Sequence, residues 1–282
     1  MSKLTLDISP ILLFSLFASL AFGQVPETPQ NEIWQLVDDF ESPTAMNKWI
    51  IADPDNQTDP YVKNPQVAEL RAIPPKSNHF LLKKPAEDGV IGNRKALTFK
   101  LLPHRVEVGE TYTFYTRINI ESFPNNHSFG LSNLLESGIV KENYNAFEPM
   151  IRITDKLESN GEKNSGVLMV STGHKTYAEI LGPRPEHKAK PMQTGTWYEL
   201  WYVVNNASSD AGGQTFDLYV RGGEFDKQVN VYSDARFRMA REQPLRYFVS
   251  ISNTGSVKAP YGNGGLRFDD IYMSAGVTLT SP

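Results

Sequence analysis

The stretch TYTFYTRINI (Thr111–Ile120) constrains the fold of this chain more than any other. Tyr112, Phe114, Ile118 and Ile120 fall on one face of an extended segment, with Thr116 between them, while Tyr115, Arg117 and Asn119 fall on the other. Successive side chains of a β-strand point to opposite faces, so a period of two means one core face and one outer face. QTFDLYV repeats the pattern, setting Phe216, Leu218 and Val220 against Asp217, Tyr219 and Arg221. Strand-like runs bounded by Gly, Pro, Asn and Asp recur at 33–40, 67–71, 79–84, 96–102, 111–121, 128–135, 149–154, 166–171, 176–181, 196–205, 214–221, 246–252 and 266–273. So many half-buried strands predict an all-β protein, a two-sheet antiparallel β-sandwich. Only Ser233–Arg241 (SDARFRMAR) carries a short 3.6-residue period, which predicts one or two helical turns.

At the N-terminus, Lys3 precedes the apolar run Ile11–Phe22, about a dozen residues against the roughly 20 that a membrane span requires. Ala21-Phe22-Gly23 closes it with small residues at the spacing of a cleavage site. Residues 1–23 therefore read as a signal peptide, which implies a secreted or periplasmic protein with no membrane insertion after cleavage. Residues 24–32 read as a short Pro-rich linker, and 33–282 as a single domain large enough to bury one substantial core. The chain has no cysteine, which excludes disulfides and thiolate metal sites. Its formal net charge is −4 and it has no basic block, so nucleic acid is not an expected partner.

Three C-terminal segments carry a family likeness. GTWYELWYVVNN (Gly195–Asn206), TFDLYVRGG (Thr215–Gly223) and GGLRFDDIYMSAG (Gly264–Gly276) resemble the second half of concanavalin A-like lectin/glucanase domains, the laminin-G-like jelly rolls in particular. LVDDFES and the following Trp49 resemble the opening of many secreted sandwich domains. The resemblance implies a concanavalin A-like jelly roll over most of residues 33–282, with the closing strand LRFDDIYMS paired near the opening strand LVDDFES. Asp38, Asp39 and Glu41 would then meet Asp269 and Asp270 at that seam. Related carbohydrate-binding jelly rolls hold a structural Ca2+ between their terminal strands, which makes Asp39, Glu41, Asp269 and Asp270 the expected metal ligands. Ca2+ takes six to eight oxygen ligands. The alternatives are that these carboxylates cap turns, pair with a cation such as Arg267, or face water.

Such folds host lectins, hydrolases, lyases and inert modules, so function has to be read from the site. The E-x-D-x-x-E strand of laminarinase-type hydrolases is absent, and Asp269-Asp270 is no substitute, because neighbours on a regular strand point to opposite faces. H-E-x-x-H, a phosphate-cradling Gly loop and a G-x-S-x-G elbow are absent too. A lyase of this fold neutralises a uronate carboxylate with Arg, Asn, Gln or His and abstracts a proton with Tyr or His. Strand parity puts Tyr115, Arg117, Arg152, Glu199 and Trp201 in one groove if their three strands share a sheet. For a lyase the catalytic set would be Arg117, Arg152, Tyr115 and His174, the last in STGHKTY near Tyr177, although the alginate-lyase signatures Q-I-H, Q-V-H and R-x-E-x-R are missing.

The leading expectation is a secreted, non-catalytic protein that binds an extracellular or cell-wall polysaccharide. Trp201, Tyr115, Tyr61, Tyr144 and Tyr261 are its candidate stacking rings, with Trp34 and Trp49 assigned to structure. A polysaccharide lyase acting on a uronate-containing glycan is the first alternative. A structural or adhesive protein-interaction module is the second.

Overall fold

The computed structural model describes residues 33–72, 78–158, 161–184 and 186–282. The expected signal peptide and linker lie outside the described residues. Residues 33–282 form one compact unit. In chain order its strands are β1 (Gln35–Asp38), β2 (Ile50–Ala52), β3 (Val67–Ala72), β4 (His79–Lys84), β5 (Ala96–Val106), β6 (Thr111–Ile120), β7 (Asn126–Ser132), β8 (Phe147–Thr154) and β9 (Leu168–Gly173). They continue as β10 (Thr176–Glu179), β11 (Trp197–Asn205), β12 (Thr215–Gly222), β13 (Phe225–Arg236), β14 (Leu245–Ser252), β15 (Gly255–Ser256), β16 (Ala259–Pro260) and β17 (Leu266–Ala275). Among the described residues one short α-helix, α1 (Glu136–Glu142), sits between β7 and β8.

Two antiparallel sheets face each other. The first runs β13-β12-β11-β6-β17-β4-β3, with β1 also on β17, and the second runs β10-β9-β8-β7-β14-β5-β2; β15 and β16 make a separate small hairpin. The expected alternation is what builds the core. Phe114, Ile118 and Ile120 of β6, Tyr202 of β11 and Phe268 of β17 pack against Phe129 of β7, Ile151 and Ile153 of β8 and Phe248 of β14. Phe114 and Tyr202 stack at 5.4 Å, and Phe268 meets Phe129 edge-on at 5.3 Å.

The opening and closing strands pair as expected, with Gln35 opposite Met273 and Leu36 opposite Tyr272. Buried Asp38 fixes this seam, accepting hydrogen bonds from the Trp49 indole at 2.8 Å and from Lys100. Trp49 also stacks on Phe40, the structural role expected of it.

One expectation fails. Ser233–Arg241 is not helical: its first four residues end β13, and Arg238–Arg241 run on as a loop. The apolar spacing that suggested a helix arises because β13 is irregular, with register shifts against β12 that break the period of two. The helix lies instead at α1, where Ile139 is fully buried.

Candidate anion-binding cleft

The outer face of the second sheet is divided in two. On one half, Leu97 and Phe99 of β5, Met150 of β8 and Tyr247, Val249 and Ile251 of β14 form an apolar surface, covered by Ile139 and Val140 of α1 and by Leu134. On the other half the outward residues are polar: Asn126 and Ser128 of β7 stand opposite Thr154 and Arg152 of β8, and Tyr177 of β10 stands opposite Ser171 of β9. The turn that follows α1 reaches the edge of this half with Asn143, Tyr144 and Asn145. The result is an open cleft of about 600 Å3.

Six cations line the cleft, Arg94, Lys95, Arg152, Lys156, Lys175 and Arg238, against one carboxylate, Glu158. Tyr144, Tyr177, Asn126 and Asn253 complete the wall. The cations lie over phenol rings: Lys95 is 4.4 Å from the centre of Tyr144, Arg152 is 4.9 Å from Tyr177, and Lys156 is 5.5 Å from Tyr261 at the rim. Arg152 is held in place by Glu158 and by Asn126 Oδ1 at 3.2 Å. The Asn126 amide in turn donates to the Tyr261 hydroxyl at 2.7 Å and reaches the Tyr144 hydroxyl at 3.5 Å.

Arg238 is the unusual member. It is only 4% exposed, donates to the Tyr177 hydroxyl at 2.7 Å and to Asn145 at 3.3 Å, and leaves its Nε without a partner. Glu158 neutralises Arg152 and Lys156, and Asp55 lies 3.7 Å from Arg94, but among the described residues no carboxylate pairs with Arg238, Lys95 or Lys175. A buried guanidinium without a counter-ion costs several kcal/mol unless something anionic joins it. Lys95 feels the same surplus. Burial, then Arg94, hold its ammonium below the usual lysine range; Asp55 opposes them, and Lys156 and Arg238 add smaller effects in the same direction as burial. Burial pushes the Tyr144 phenol up, offset in part by Arg152 and by hydrogen bonds with Asn253 and Asn126.

Of the five residues expected to share one groove, only Arg152 lies in this cleft. Tyr115, Arg117, Glu199 and Trp201 are on the outer face of the opposite sheet, because β6 and β11 pair with each other while β8 belongs to the second sheet. Trp201 and Tyr115 are 1% and 4% exposed, which removes them as stacking platforms. Trp34 packs on Tyr115, and the C-terminal residues lie across the face, with the Trp201 indole donating to the Thr280 carbonyl at 3.0 Å. Glu199 is occupied by Arg221 and the Tyr115 hydroxyl. As a lyase set, therefore, Arg117 and Tyr115 are displaced from Arg152, and His174 lies in an exposed turn beside the cleft.

Asp269 and Asp270 do act together, against the regular-strand expectation. A β-bulge shifts the register of β17 after Asp269, with Asp270 at a φ of +51°. Both carboxylates thereby reach Arg117 Nη1, at 3.2 and 3.0 Å. Burial, then the neighbouring Asp270, pushes Asp269 up to about 7, with Arg117 opposing. Asp39 and Glu41 are used locally: Asp39 bonds the Glu41 amide, and Glu41 accepts from the His79 amide at 3.0 Å. Among the described residues no group of three or more His, Asp or Glu side chains is arranged to hold a metal ion, so these four residues do not fit the expected Ca2+.

No protein-family model matches the chain, and no curated protein matches it. Among solved structures it is similar to the marine PL-14 alginate lyase from Aplysia kurodai, at 15% identity over 74% of this chain and 87% of that one, with a TM-score of 0.48. It is also similar to a GH131 β-glucanase catalytic domain from Podospora anserina (9% identity, 85% and 84% coverage, TM-score 0.45) and to lectin II from Ulex europaeus (6% identity, 81% and 98% coverage, TM-score 0.42). The two-sheet antiparallel β-sandwich expected from the strand alternation is the fold observed. What the cleft does is read from its own side chains.

Proposed function

We propose that the cleft binds an acidic polysaccharide, one whose sugars carry carboxylates, and that the protein meets it outside the cytoplasm, as the signal-like residues 1–23 imply. The observation that carries this reading is Arg238, a buried guanidinium with free hydrogen-bonding capacity and, among the described residues, no carboxylate paired with it. A planar guanidinium matches a carboxylate by two parallel hydrogen bonds. Phenol rings and the Asn126 and Asn253 amides supply contact area and hydroxyl partners, the mixture that a sugar ring requires.

Calorimetric titration with polygalacturonate, alginate and a neutral β-glucan tests the reading, using the wild type and Arg238→Gln. A uronate polymer is expected to bind and the neutral glucan not to, with affinity at least tenfold weaker in the variant. The variant's melting temperature without ligand should stay level or rise, because an uncompensated buried charge has been removed. Equal binding of the neutral glucan, or unchanged affinity in the variant, would overturn the proposal.

A second reading, β-elimination on the same polymer, is favoured by one observation. The Tyr144 and Tyr261 hydroxyls converge on Asn126, which also holds Arg152. Arg152 and Asn126 would take the uronate carboxylate, and the Tyr144 oxygen, deprotonated against burial with the help of Arg152 and its hydrogen bonds to Asn253 and Asn126, would accept the proton from C5. The C–H electrons would form the C4–C5 double bond while the C4–O bond breaks, the departing oxygen taking a proton from the other phenol. New ultraviolet absorbance from the unsaturated product, abolished by Tyr144→Phe with binding retained, would support it. Its absence with every uronate polymer that binds would leave the protein a binder.

A further inference from the structure

A second cavity, of about 560 Å3, adjoins the cleft. Arg238 lines both. The turn between β9 and β10 separates them, with Lys175 and Tyr177 on the side of the cleft and Gly173 and His174 on the other. The lining of the second cavity is different. Asp234 stands against Arg236 and Arg238, and the hydroxyls of Ser209 and Thr215 and the imidazole of His174 supply neutral polar groups. Its floor is a tight turn in which the Gly213 amide donates to the Ser208 carbonyl at 2.9 Å. A side chain on Gly213 would collide with the Ala207 carbonyl oxygen at 2.1 Å, so the turn can take this shape only with glycine there. The Gln214 amide, bonded to Asn206 and Ala207 at 3.0 Å each, pins the same turn to the body of the protein.

We infer that the two cavities are one groove, and that its ligand is an internal stretch of a polysaccharide rather than a chain end or a monosaccharide. Resting on the acidic-polysaccharide reading above, this assigns one acidic residue of the chain to Arg238 and the sugars beyond it to the second cavity. There they are held through ring hydroxyls by Asp234, Arg236, His174, Ser209 and Thr215. The cation-rich end and the nearly neutral end meet at Arg238, which is buried and, among the described residues, has no carboxylate paired with it. Each cavity by itself falls in the range of about 300–1,000 Å3 typical of small-molecule sites, so a single sugar would leave much of the groove empty.

The test is calorimetric titration with galacturonate and with alginate oligomers of two and of six residues. The proteins are the wild type, Arg238→Gln, and the double variant His174→Ala/Arg236→Ala, at two exposed positions. The expected result is that six residues bind at least tenfold tighter than two in the wild type. The double variant should lose most of that gain while keeping its affinity for the two-residue ligand, and Arg238→Gln should weaken both. Equal affinities for the two lengths, or a gain that survives in the double variant, would overturn the inference while leaving the acidic-ligand reading in place. Failure of both oligomer series to bind at any length would overturn both.

Discussion

At the scale of single residues, the interior holds a lysine that has no acid in contact with it. Lys83 is fully buried on the inner side of β4 and donates to Gln66 Oε1 at 2.7 Å. Burial holds its ammonium down to about 7 from an ordinary 10.5, against a weaker pull from Asp53. The folded pKa lies below the unfolded one, so between these values the unfolded chain binds more protons. Stability from this group is therefore present above about 10.5 and is lost as pH falls through about 7. Urea unfolding at pH 7 and pH 9.5 should show the wild type gaining about 3 kcal/mol relative to Lys83→Met, at about 1.4 kcal/mol per pKa unit. Parallel behaviour of the two proteins would mean that Lys83 stays charged in the folded protein across this range, as it does in the unfolded chain. Nothing local marks this residue: in HFLLKK, Lys83 and Lys84 are identical letters, and only the register of β4 sends one inward.

At the scale of elements, the loop that carries Arg238 hangs on one buried carboxylate. Glu148, at the start of β8, pairs with Arg241 at 2.8 Å, accepts the Ala240 amide at 2.7 Å, and receives the Arg238 amide on its backbone carbonyl. Glu148→Gln breaks a buried pair, which costs about 3–5 kcal/mol in comparable cases. The expected outcome is a lower melting temperature together with weaker uronate binding than wild type at a temperature where the variant is still folded. Intact affinity would show that the loop is held by its other contacts. The strands were legible in the chain because parity is local; Phe114 and Tyr202 point inward as the alternation requires. Which strands share a sheet was not legible, since it depends on pairings between segments far apart in sequence. That single missing fact put Arg117 and Arg152 in one groove when they lie on opposite faces of the sandwich. The bulge at Asp270 was equally hidden, for an extra residue in a strand leaves no period of its own.

For the whole molecule, the sign of the charge is misleading. The chain carries −4 overall, while the cleft holds a surplus of five cations, six against Glu158. Net charge argued against a phosphate polymer gripped along a broad basic face, but it gave no hint of a local field of the opposite sign. Binding that depends on this field should weaken by about an order of magnitude as NaCl rises from 50 to 500 mM, since the screening length shrinks to a few Å. Titration across that range checks it, and a salt-independent affinity would mean that the ring contacts dominate. The cleft residues were only partly recoverable from sequence. Tyr144 and Tyr261 stood out as loop aromatics and Arg152 by parity. Lys95, Lys156, Asn253 and Arg238 come from segments that follow or precede strands, where no periodicity applies.

The pairing of β1 with β17 sets how the domain can be mounted. Its first strand and its last both belong to the first sheet, and residues 276–282 run over the outer side of that sheet, across Trp201. The cleft opens on the outer side of the second. Tethered at either end, to a wall, a membrane or a neighbouring module, the sandwich presents its cationic groove to whatever lies away from the support.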